Sequence, residues 1–152
     1  MLSEVRWAST NNVFFKYDIL KKINLSFDLT LNKFGMGEDQ LFFSILNDNN
    51  HKIFWYKNIK VYEMKDLNRN RLSWLKIRSL KLGILGHHID KVLYGKFIGF
   101  ALNYIKSVYF LIASMLQLFL FFIKHNRILS IVYFYRFFGK LIGPLLIKKI
   151  KF

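Results

Sequence analysis

No cysteine occurs in the 152 residues, and proline occurs once. The first absence excludes a disulfide scaffold and any zinc or iron–sulfur centre held by thiolates. It carries no information about compartment. Acid is scarce: nine Asp and Glu stand against 24 Lys and Arg, for a net charge of +15. Every acid lies at or before Asp90, and residues 91–152 hold ten bases with no acid at all. The opening residues lack the apolar core of a signal peptide, because Glu4, Arg6 and Trp7 interrupt it. There is no internal repeat, no Gly-rich phosphate loop, and no recognisable Ser/His/Asp or Cys/His arrangement. Asn11-Asn12-Val13 is not a glycosylation acceptor, which needs Ser or Thr two positions on.

Apolar residues are abundant instead. They make up 53% of the chain and aromatics 18%, with 17 Phe and 8 Tyr. A chain this apolar has enough surface to bury, so disorder is excluded. Its length fits one compact domain, or less than one if part of it leaves water. The positive charge invites either nucleic acid or an anionic bilayer. An acid-free half rich in Phe and Leu points to lipid rather than to a duplex, so membrane lipids are the expected partner and nucleic acid is not. A coding bias toward Lys, Asn, Ile and Phe is the bland alternative source of the charge.

Residues 1–70 read as a mixed α/β piece. Val13-Phe14-Phe15 predicts a short strand, and Asp18 can cap a helix through Leu20 to Ile23. A loop is expected over Asn24–Gly37. A second helix starts near Glu38 and stops at Asn47-Asp48-Asn49-Asn50. Ile53–Tyr56 and Ile59–Tyr62 read as two strands joined by a turn at Lys57-Asn58.

Residues 71–96 form a different region. At 100° per residue Arg71, Trp74, Arg78 and Lys81 share one stripe, with Leu72, Leu75, Ile77, Leu80, Leu82 and Ile84 filling the rest. The pattern suits an amphipathic helix at a membrane surface, or an ordinary packing helix with a solvated basic face. Over 97–152 the chain turns strongly apolar. Phe97–Ile123 is interrupted only by Lys106, which can snorkel or sit near the interface. Lys124-His125-Asn126-Arg127 is a polar turn. Ile128–Ile147 follows, carrying Arg136 and Lys140 on one face, so it packs that face against protein or lies in the interface. About 20 residues cover the hydrocarbon core, so a spanning or re-entrant hairpin is expected. Bases before and after the pair outnumber those in the turn, which places both ends in the cytoplasm.

The sharpest chemical signal is Gly35-Met36-Gly37-Glu38-Asp39-Gln40-Leu41. Two carboxylates at a helix start sit near unpaired N–H groups and the positive end of the helix dipole, which favours their ionised form. An ionised carboxylate on a rigid edge beside a glycine loop suits general-base chemistry on a hydroxyl. Capping alone explains the same residues. His87-His88 with Asp90 reads as solvated or headgroup-facing rather than as a metal site, because adjacent helical histidines diverge by about 100°.

Taken in order, Thr10–Lys16, Phe27-Asp28, Gly37–Leu41, Val61-Tyr62-Glu63 and Arg71–Arg78 closing on Gly83 resemble the C-terminal half of a family 2 glycosyltransferase of the GT-A type. The apolar pair after them, with its Arg136–Gly143 run, is similar to the membrane hairpin many members carry. The resemblance implies a partial GT-A-like domain and inverting sugar transfer from a nucleotide-sugar donor to a lipid-linked or cell-surface glycan acceptor. It puts Asp39 at the catalytic base and Glu38 beside it. Asn12, Glu63, Arg71, Trp74 and Arg78 fall at substrate-binding positions. A divalent metal, Mg or Mn, is implied for the complete enzyme, but its principal ligand motif Asp-x-Asp occurs nowhere in the chain. No Gln-x-x-Arg-Trp motif of processive synthases is present either. The expectation is therefore a fragment that needs a complementary N-terminal chain for activity. The rival expectation is a small cationic membrane protein without catalysis.

Overall fold

The computed structural model describes residues 2–64, 66–120 and 123–149. They form two compact units that divide after Met64, ahead of the boundary expected at residue 70. The described chain is mostly helical. The expected α/β layering reduces to one two-stranded sheet among the described residues.

In the first unit β1 (Leu2–Val5) pairs antiparallel with β2 (Ile53–Tyr56), with Leu2 opposite Tyr56 and Val5 opposite Ile53. Three helices lie between them in sequence: α1 (Tyr17–Ile23), α2 (Leu29–Phe34) and α3 (Glu38–Asp48). The core gathers on α3, whose Leu41, Phe42, Phe43 and Leu46 are buried. Phe27 stacks on Phe42 at 4.3 Å between ring centroids, and Phe43 meets Phe42 edge-on at 5.2 Å. Ile19, Leu20 and Ile23 close the cluster from α1. Aromatic pairs of this kind add about 0.5–1.5 kcal/mol each beyond area burial, so a few large rings give a small unit its core.

Several local expectations are corrected. Val13–Phe15 is extended but unpaired, following a 3-10 turn at Thr10–Asn12, and Phe14 is exposed. Ile59–Tyr62 forms no strand; a turn forms at Lys57-Asn58, yet β2 takes its partner from the N-terminus instead. β-branched and aromatic composition marks segments able to pair, but only a neighbouring ladder makes them strands. The loop expected over Asn24–Gly37 contains α2, because the Asp28 carboxylate accepts from the N–H groups of Thr30 (2.7 Å) and Leu31 (3.2 Å). Asp18 lies in the first turn of α1 rather than at its cap, which is Lys16.

The second unit opens with a 3-10 turn, Leu67–Asn70. The Asn68 N–H and side-chain amide hold the Asp66 carboxyl below its ordinary value. Three helices follow: α4 (Leu72–Tyr94), α5 (Lys96–Phe119) and α6 (Lys124–Lys149). Gly95, at φ 80°, separates the first two in a conformation a side chain would strain. Each helix packs on the other two, so α4 joins the apolar pair as a third member of one bundle. Its stripe of Arg71, Trp74, Arg78 and Lys81 stays off the buried face, which carries Ser79, Gly83, Ile84, His87 and Asp90.

Within this bundle α4 buries Ile84, Leu85 and Ile89, whereas α5 has its polarity reversed. The buried residues of α5 are Gly99, Asn103, Ser107 and Ser114, while Phe97, Ile98, Phe100, Ile105, Ile112 and Phe119 face outward. Glycine allows the helices to close. A Cβ on Gly139 of α6 would lie 2.9 Å from the Gly83 Cα of α4, and one on Gly99 would lie 2.6 Å from the Lys91 Cα. Ser114 and Ser130 exchange bonds between α5 and α6, each hydroxyl donating to the other's carbonyl at 2.9 and 3.0 Å. Small residues at contacts and serine hydrogen bonds across them are how helices associate in lipid, where apolar burial gives no drive. Two helical segments, Lys96–Phe119 and His125–Ile147, are long and apolar enough to cross a membrane. Only 22% of the apolar window of each is buried, unlike the core helix of a water-soluble domain.

Candidate functional site

The first unit holds a cleft of about 950 Å³, walled by Trp7, Phe43, Trp55 and Tyr62 with Asn12, His51 and Glu63 among its polar groups. Two of the expected substrate-binding residues, Asn12 and Glu63, therefore meet in one place. Asn12 comes from the 3-10 turn after β1, and Glu63 from the extended segment after β2. The neighbouring Asn11 amide donates to the Glu63 carboxylate at 3.4 Å, joining segments 52 residues apart.

Glu38 and Asp39 do not line this cleft. They occupy the first turn of α3, where Gly37 at φ 90° brings the chain round into the helix. The Asp39 carboxylate accepts from the Gln40 N–H at 2.8 Å. One oxygen of Glu38 is buried without a hydrogen-bond partner. Such an atom is costly in a folded chain and marks a place where a donor is wanted.

Arg71, Trp74 and Arg78 belong to the second unit. The Arg71 carbonyl accepts the first helical N–H of α4, from Leu75. One turn on, the Arg78 guanidinium lies over the Trp74 ring, 5.0 Å from its centre. That contact orients the arginine without neutralising it.

Sequence reading missed a polar cluster inside the bundle. Asp90 of α4 is 4% exposed and binds Lys106 of α5 through one oxygen; its other oxygen lies 3.7 Å from the Lys140 ammonium of α6. Lys140 also donates to the Asn103 side-chain carbonyl at 3.2 Å, and the Asn103 amide donates back to the Lys140 backbone carbonyl at 3.1 Å. That last bond has a specific cause. Pro144, the chain's one proline, has no N–H to offer the carbonyl four residues before it, which is that of Lys140. Asn103 replaces the missing donor from the neighbouring helix, as lipid requires of every backbone group. Gly86 leaves space for the ammonium, since a Cβ there would lie 2.8 Å from it. The signal was present in the sequence: lone charges inside apolar stretches face a bundle interior and pair there.

Among the described residues no three His, Asp or Glu side chains come together as a metal site. Glu63 is the one carboxylate lining the cleft, so the donor set does not fit the divalent metal that the resemblance implies. His87 instead meets the Phe100 ring edge-on. No family model, no curated protein and no solved structure matches the chain.

Proposed function

We propose that this chain is the acceptor-side, membrane-held part of a family 2-type inverting glycosyltransferase acting on a lipid-linked or cell-surface glycan acceptor. The observation that carries the reading is the meeting of Asn12 and Glu63 in one cleft, since they come from separate motifs of the resemblance. The apolar outward face of α5 supports a place at the bilayer, where such acceptors reside. By the distribution of bases the catalytic part faces the cytoplasm.

In this reading Asp39 accepts the proton of an acceptor hydroxyl while that oxygen bonds to the anomeric carbon and the bond to the nucleoside diphosphate breaks. The carboxylate sits in the first turn of α3, at the positive end of that helix. Glu38, with one oxygen awaiting a donor, orients the acceptor. Arg71 and Arg78, on the second unit, are cations suited to a lipid phosphate. Asp39 lies off the cleft, so the opposing wall, the nucleotide-sugar and the metal belong to a nucleotide-binding half outside these residues. Alone, the chain is inactive.

The experiment is transfer of labelled sugar from nucleotide-sugars to lipid or glycan in membranes of cells that make the chain naturally. Asp39→Asn is expected to lower transfer at least about 100-fold, the usual worth of a general base. Unchanged transfer, with the variant present at normal abundance, supports the small cationic membrane protein instead. The exposed Arg78 resting on a half-buried Trp74, in a bundle whose α5 turns its apolar face outward, is the observation that favours that second reading.

A further inference from the structure

An imidazole lies inside the bundle where its three helices meet. His87 of α4 is 8% exposed, its Nδ1 is buried without a hydrogen-bond partner, and its ring meets that of Phe100 of α5 edge-on at 6.2 Å. α6 closes the other side, since a Cβ on Gly143 would lie 3.4 Å from the His87 Cβ. The charged groups around it are mostly cations. α4 itself supplies His88, Lys91 and, one turn on, Asp90. α6 supplies Lys140, whose ammonium lies against Gly86, the residue before His87. From α5 comes Lys106, bound to Asp90. Asp90 is the one acid in residues 72–149, and Lys106 and Lys140 already share it.

A proton added to this imidazole would bring a charge that neither water nor a free carboxylate offsets. Burial first, then Lys91 and Lys140, hold the His87 pKa below its ordinary value, and Asp90 opposes them only in part. Protons from water can still reach the ring. Phe100 and Gly143 stand four residues inside the ends of the two membrane-length segments, about 6 Å at the rise of a helix. We propose that His87 makes the packing of α4 on α6 acid-sensitive: the helices close over a neutral imidazole and loosen when it takes a proton. The direction follows from linkage. The unfolded chain binds this proton more readily than the folded one, so stability is complete above the ordinary histidine value of about 6.5 and falls as pH drops through it. The device belongs to the second unit alone and does not depend on sugar transfer.

The test unfolds the full chain in mixed micelles with SDS, at about pH 7.5 and at about pH 5.5, on either side of the ordinary histidine value. Nitroxides on Val92→Cys of α4 and Leu145→Cys of α6, both exposed positions in a chain without native cysteine, report the separation of these two helices. The folding constant is expected to be about five- to tenfold lower at the acid pH, as one proton allows. His87→Gln, which stays uncharged, is expected to remove most of that difference, and His88→Gln to retain it. If the His87 variant does not assemble, nitrogen NMR of the histidine-labelled chain follows the ring directly, with the other three signals assigned by His51→Gln, His88→Gln and His125→Gln. His87 is then expected to titrate below the ordinary value. An equal folding constant at both pH values, the same difference in His87→Gln, or titration of His87 at the ordinary value would overturn the proposal.

Discussion

Asp90→Ala is expected to destabilise the helical bundle by about 3–5 kcal/mol, the cost of breaking a buried ion pair by removing one partner. The magnitude follows from what is left behind. Lys140 is 5% exposed and would be left among the helices without its carboxylate partner, while Lys106, half exposed, turns away. Unfolding of the purified chain in mixed micelles by increasing SDS reads the loss. Adding Lys140→Met to Asp90→Ala is expected to restore most of it, since removing both partners leaves neither buried and unpaired. Equal destabilisation by the single and double variants would show that Asp90 acts through packing alone.

Gly139→Leu is expected to have an effect of similar size by another route. A Cβ there would lie 2.9 Å from the Gly83 Cα and 3.1 Å from the Ile84 N. Both are backbone atoms that no rotamer change can move, so α4 and α6 must separate. Separation withdraws Lys140 of α6 from Asp90 of α4, so one clash opens the polar cluster as well. Crosslinking between cysteines introduced on α4 and α6 measures it, and loss of the crosslink is the expected result. Leu145→Gly, on the exposed face of the same helix, is expected to leave the crosslink intact. Retention of the crosslink in Gly139→Leu would contradict the close crossing.

Features set by short stretches of chain were legible in the sequence. α3 begins and ends where Gly37-Glu38 and the Asn47–Asn50 run place it, because cap and stop chemistry is local. The two apolar helices followed from length and hydropathy, and the face shared by Arg136 and Lys140 does pack on protein. The sheet was not legible. β2 has its partner about 50 residues away, and nothing in Leu2–Val5 announces that register. The polar cluster was half legible: Asp90, Lys106 and Lys140 stand out as lone charges, but their meeting depends on helix levels set by Gly83, Gly99 and Gly139. The role of Asn103 could not be read without knowing which carbonyl Pro144 leaves open. In the first unit the motifs suggested one site, whereas Asn12 and Glu63 meet in a cleft that Asp39 does not line.

The apolar outward face of α5 is the feature on which the proposed place at a membrane rests. The absence of native cysteine allows it to be tested by single nitroxide labels. Val108→Cys and Leu116→Cys carry the label on the outward face of α5, and Ser107→Cys and Ser114→Cys carry it on the buried face. In lipid bilayers, electron paramagnetic resonance is expected to show high access of oxygen and low access of a water-soluble nickel chelate at 108 and 116. Both reagents are expected to be excluded at 107 and 114. High nickel access at 108 and 116 would place that face in water and contradict the account.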